Sequence, residues 1–111
     1  MARESLGDIE HFVLVALLRL GGESYGVAIM DEIGARTGRE VARSAVYIAL
    51  RRLEAKGLAT SRMGDATPER GGRPKRYFAL TKSGARQLMA SRRAFERMWA
   101  DVDRLAQKAA R

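Results

Sequence analysis

The stretch that decides the fold is Arg43–Gly57, RSAVYIALRRLEAKG. Ala45, Val46, Ala49, Leu50 and Leu53 recur three and four positions apart, the period of one helix face. Gly57, directly after Lys56, ends the run, because glycine adopts the left-handed backbone of a helix C-terminus without steric cost. With Val46, Ala49, Leu50 and Leu53 turned inward, Arg43, Ser44, Tyr47, Ile48 and Arg51 remain outside, near the N-terminal half. Arginine donates two parallel hydrogen bonds to guanine, serine and tyrosine reach phosphates or base edges, and an apolar side chain can meet a thymine methyl. The stretch therefore reads as a helix that enters DNA.

Working outward, Leu6, Ile9, Phe12, Val13, Ala16, Leu17 and Leu20 predict a first helix over Leu6–Leu20, closed by Gly21-Gly22. Ser24 is the candidate cap of a second helix carrying Tyr25, Val27, Ile29, Met30 and Ile33 and closed by Thr37-Gly38. Downstream, Leu58–Met63 and Arg76–Leu80 lose the helical period and predict a two-stranded hairpin. Between them Gly64–Lys75, with Gly64, Pro68, Gly71, Gly72 and Pro74, is too long for a tight turn and reads as a flexible basic wing. Thr81 then caps a last helix that meets no Gly or Pro after Gly84, which predicts one continuous rod of about 40 Å at about 1.5 Å per residue. Leu88, Phe95, Val102 and Ala109 lie seven apart on it, with Met98 and Leu105 between. A domain this small does not cover such a seam, and a second copy of the chain is the usual supplier of the missing surface.

The expected architecture is mainly helical with a small β-hairpin: a winged helix-turn-helix over residues 1–80 and a dimerisation helix over 81–111. Composition agrees. A chain of 111 residues, 46% hydrophobic and 31% charged, is apolar enough to fold and has room for one core. Its 21 Lys and Arg against 13 Asp and Glu give a formal charge of +8, a positive field that attracts polyanions. The longest apolar run, Phe12–Leu18, falls far short of the roughly 20 residues that span a bilayer. The start, Met1–Asp8, lacks the apolar core of a secretory signal, so the expected location is cytoplasmic. Without cysteine and with His11 alone, thiolate chemistry and zinc sites have no ligands, and no cofactor or catalytic residue is expected.

Basic residues fall where a winged helix-turn-helix needs them: Arg39 and Arg43 entering the third helix, Arg51 and Arg52 within it, and Arg62, Arg70, Arg73, Lys75 and Arg76 around the wing. The plain alternatives stay open. The arginines have a less favoured reading as a solvated face, and the Gly, Pro and Arg loop one as simply disordered chain. Tyr25-Gly26 either presents N–H groups and a hydroxyl to a phosphate or packs. Trp99 is either buried between two subunits or lines a pocket for a flat ligand. Met89 and Met98 read as core filler and His11 as a surface residue. The rival to DNA binding is a dimeric protein–protein interaction module whose basic surface is incidental. RNA binding lacks its aromatic strand platform, and a membrane-surface helix would not be interrupted by Arg92.

Together these residues resemble the PadR family of transcriptional regulators over nearly the whole chain. The resemblance rests on Leu6-Gly7, Glu10, the Val13–Leu20 run, Tyr25-Gly26, Ala45-Val46-Tyr47, Arg52-Leu53-Glu54, Lys56-Gly57-Leu58, Gly71-Gly72-Arg73, Lys75-Arg76-Tyr77-Phe78, Leu80-Thr81 and Gly84. A single last helix with Met98-Trp99 is similar to the family's smaller subgroup, which dimerises through that helix and the first one, where Leu6 and Ile9 are the candidates. The resemblance implies a homodimeric repressor on a palindromic double-stranded operator, released in several members by a small aromatic effector. Tyr25, Arg43, Ser44, Tyr47, Arg51, Arg70, Arg73, Lys75 and Arg76 are the DNA-binding candidates, and Trp99 marks the effector pocket. One position departs from the pattern: Ala42 stands where the family carries a Ser or Thr cap, a change that costs about 1 kcal/mol.

Overall fold

The computed structural model describes residues 6–65 and 74–111. In chain order these form α1 (Asp8–Arg19), β1 (Glu23–Tyr25), α2 (Gly26–Thr37), α3 (Arg43–Ala55), β2 (Ala59–Met63), β3 (Arg76–Leu80), α4 (Lys82–Trp99) and α5 (Val102–Ala109). Helices α1 to α3 meet over one core. Val13, Leu14 and Leu17 of α1 face Ile29 and Ile33 of α2 and Val46, Leu50 and Leu53 of α3, all buried. Each such side chain contributes roughly 1.5–3 kcal/mol relative to exposure. The α2 and α3 helices stop where the sequence predicts, with Gly38 and Gly57 in the left-handed region at φ 71° and 76°.

Glu10 ties the first helix to the third. Its buried carboxylate accepts from the Gly7 N–H at 3.0 Å through Oε1 and from Lys56 Nζ at 2.8 Å through Oε2. One side chain thus caps α1 and anchors the end of α3, which fixes how α3 lies on the core.

The sheet has three strands in the order β1-β3-β2, both pairs antiparallel, where the sequence predicts two. Ser24 pairs with Phe78 as a buried strand residue instead of capping the second helix, and the cap position passes to Tyr25, whose side chain makes no cap bond. A three-residue strand is too short to display a two-residue period, so only its partner β3 reveals it. Thr81 does cap α4, accepting from the Gly84 N–H at 2.9 Å.

The last helix is not continuous. It ends at Trp99, and Asp101, the one described non-glycine residue at positive φ (66°), turns the chain before α5. Aspartate tolerates that conformation better than most residues, which is why no Gly or Pro signals the break. Leu88, expected in the dimer seam, is 5% exposed and belongs to the chain's own core. His11 is half-buried between α1 and α4, its Nδ1 3.3 Å from Ser91 Oγ and its ring edge-to-face with Phe95 at 5.9 Å. Met89 and Met98, expected as core filler, are exposed. The Cα radius of gyration of 16.4 Å exceeds the roughly 13 Å of a compact chain this long, in keeping with long helices whose surface stays uncovered.

Candidate nucleic-acid interface

Helix α3 presents the face the sequence predicts. Val46, Ala49, Leu50 and Leu53 are buried, and Arg43, Ser44, Ile48, Arg51 and Arg52 are exposed. Ala42 is its N-cap and supplies no side-chain bond, so the helix starts at Arg43 and Ser44 lies inside its first turn. Tyr47 is half-buried. Its ring lies against the first turn of α2, where a Cβ on Gly26 would come within 2.5 Å of it, so only glycine admits the ring there. The Arg43 guanidinium sits 5.9 Å from the centre of that ring, a contact that holds the arginine at the start of the helix.

Where the three strands meet the start of α2, side chains interlock. Lys75 Nζ lies 3.5 Å from the centre of the Tyr25 ring, Tyr25 meets Tyr77 edge-to-face at 5.7 Å, and the Arg62 guanidinium stands 5.0 Å from the Tyr77 ring. Arg62 also donates twice to the Glu23 carboxylate, at 3.0 and 2.7 Å, which holds that carboxyl below its usual range chiefly through the hydrogen bond. The Gly64 N–H donates to the Lys75 carbonyl at 2.6 Å and joins β2 to β3 one residue beyond their paired ends. Arg76 donates to Ser61 Oγ at 3.0 Å, and Ser61 in turn donates to Glu54 of α3 at 2.6 Å. Arg70 and Arg73, the other wing candidates, lie outside the described residues.

The fold has parallels among solved structures. The sequence matches the model of the transcriptional regulator PadR-like family over residues 13–90. The chain belongs to the PadR-like family of transcriptional regulators. A PadR family transcriptional regulator from Eggerthella lenta superposes with a TM-score of 0.69 at 26% identity, over 85% of this chain and 80% of that one. One from Clostridium difficile gives 0.69 at 22%, over 95% and 100%. A winged-helix DNA-binding protein from STIV gives 0.64 at 15%, over 79% and 87%, and shares the fold. None of the curated proteins matches in sequence. Family membership makes the chain a transcriptional regulator and not an enzyme.

In this PadR-like regulator the remaining predicted residues lie on or beside α1 and on α4 and α5. Phe95, Met98, Trp99 and Leu105 are 52%, 79%, 56% and 58% exposed, Val102 is half-buried, and Leu6 and Ile9 pack partly against the core. An apolar groove of about 290 Å³ is lined by Leu6, Gly7, Asp8, His11, Phe12 and Phe95; Trp99, expected to mark a pocket, does not line it. No described helix is long and apolar enough to cross a membrane. Sequence reasoning missed the Arg62–Glu23 pair and the Arg76–Ser61–Glu54 chain, because each joins residues whose neighbourhood depends on the sheet order.

Proposed function

We propose that this regulator binds a palindromic operator as a homodimer and represses transcription from it, with residues 1–80 meeting DNA and residues 81–111 pairing the subunits. The observation that carries the reading is the division of α3 into a fully buried apolar face and an exposed face with Arg43, Ser44 and Arg51. Arg43, Ser44, Tyr47 and Arg51 approach the major groove, and Tyr25, Arg70, Arg73, Lys75 and Arg76 hold phosphates or the minor groove. Tyr25 and Lys75 act together, since the ammonium rests on the ring. The exposed stripe of Phe95, Met98, Trp99 and Leu105 supports pairing, with Leu6, Ile9 and Val102 at its edges. A small aromatic effector fits the same interface, beside Trp99 and the groove at Phe95, where it would change the spacing of the two α3 helices. Such a regulator works beside its DNA, in the cytoplasm.

The test is a titration against the DNA upstream of the protein's own gene and against random DNA of equal length, at several salt concentrations. The reading predicts a preference of about 1000-fold or more for the upstream fragment. Equal, salt-labile binding to both would contradict it, and no binding near physiological salt would favour an interaction module.

A further inference from the structure

One side chain on the outer face of α3 suits neither water nor phosphate. Ile48 is 51% exposed, and it is the only large apolar residue of α3 that the core leaves out. The core does not need it, since Val46, Ala49, Leu50 and Leu53 complete the inner face. One helical turn away on either side lie Ser44, Arg51 and Arg52, all exposed. A lone exposed isoleucine is ordinary on a protein surface; its place in the middle of a cationic helix face is what assigns it. An amphipathic partner helix would need further large apolar residues three and four positions away, and α3 offers there Ser44, Arg51, Arg52 and only the small, half-buried Ala45. Among the described residues, the other exposed large apolar side chains are Leu18 on α1, Met63 on β2, and Met89, Phe95, Met98, Trp99 and Leu105 on α4 and α5, so none of them lies on α3.

On the edges of base pairs in the major groove the one apolar group is the C5 methyl of thymine. We propose that Ile48 selects a thymine in the operator by covering that methyl, with Ser44 and Arg51 making polar contacts on either side. This rests on the operator reading above and adds to it one base type and the residue that chooses it. A methyl group transferred from water to an apolar contact is worth about fourfold in affinity.

The experiment begins by enriching a binding sequence from a randomised duplex pool with the wild-type protein. Each thymine of that sequence is then replaced in turn by deoxyuridine, which removes only the methyl. At one thymine in each half-site the wild type is expected to lose about fourfold, while Ile48→Ala, already weaker on the unmodified DNA by about the same factor, loses nothing further there. Ile48→Ala keeps the wild-type melting temperature, because the side chain is not part of the core. Indifference of the wild type to every replacement overturns the thymine contact and leaves the operator reading intact, as does an Ile48→Ala variant with undiminished sensitivity. Failure to enrich any sequence overturns the operator reading, and this contact with it.

Discussion

The region from α1 to β3 buries most of its large apolar side chains, and the region of α4 and α5 leaves most of its own exposed. In the first, Leu14, Leu17, Ile29, Leu50 and Leu53 are wholly buried, and the exposed large apolar side chains Leu18, Ile48 and Met63 stand singly, each on a different element. In the second, α4 buries only Gly84 and Leu88, α5 buries nothing, and Phe95, Met98, Trp99 and Leu105 face outward. The first region is completed by its own chain. The second carries apolar surface whose burial, at roughly 1.5–3 kcal/mol for each large side chain, is realised only when something covers it.

The contrast breaks most visibly in the core. Leu50→Ala is expected to cost about 2–5 kcal/mol in urea unfolding, because it empties a site with no exposure. Leu105→Ala, in protein dilute enough to be monomeric, is expected to cost under about 1 kcal/mol. Equal losses would mean that the two regions are not built differently. On the DNA side, Arg51→Ala should weaken operator binding by about 1–3 kcal/mol and leave random DNA nearly unaffected. Lys75→Met should weaken both alike and reduce the salt slope by about 1; an equal loss from Arg51→Ala on both DNAs would refute base reading by that arginine.

The smallest effect concerns the seam between the regions. Burial holds His11 below its ordinary pKa of 6.5, with the Asp8 carboxylate pulling the other way. Below that value the unfolded chain takes up a proton that the folded chain refuses, so this contribution to stability is full above pH 6.5 and declines as the pH falls through it. Urea midpoints at about pH 7.5 and about pH 5.5 should therefore fall further for the wild type than for His11→Gln. Equal falls would show that the ring does not report the α1–α4 contact.

Much of this was legible in the sequence, and the rest was hidden for identifiable reasons. The inner face of α3, the stops at Gly38 and Gly57 and the Thr81 cap all depend on local spacing, and the structure places them as expected. The third strand was not legible, because Glu23–Tyr25 is defined by its partner across the sheet and Ser24 looks like a cap. The turn at Asp101 was not legible either, since an Asp inside a helical period carries no breaking signal. Leu88 shares its spacing with Phe95, and only the docking of α4 on α1 decides that one is core and the other surface. Among the wing residues the sequence named Lys75 and Arg76 but not the side chains they rest on, Tyr25 for the first and Ser61 for the second.

Under the proposed function, one region reads DNA and the other pairs the subunits. The double variant M98D/L105D tests it most directly, because both side chains are more than half exposed and neither belongs to the core. Analytical ultracentrifugation should find the wild type as a dimer and the variant as a monomer with unchanged helical content, its operator affinity reduced towards that for a single half-site. A variant that sediments as the wild type does and binds the operator equally well would contradict the account.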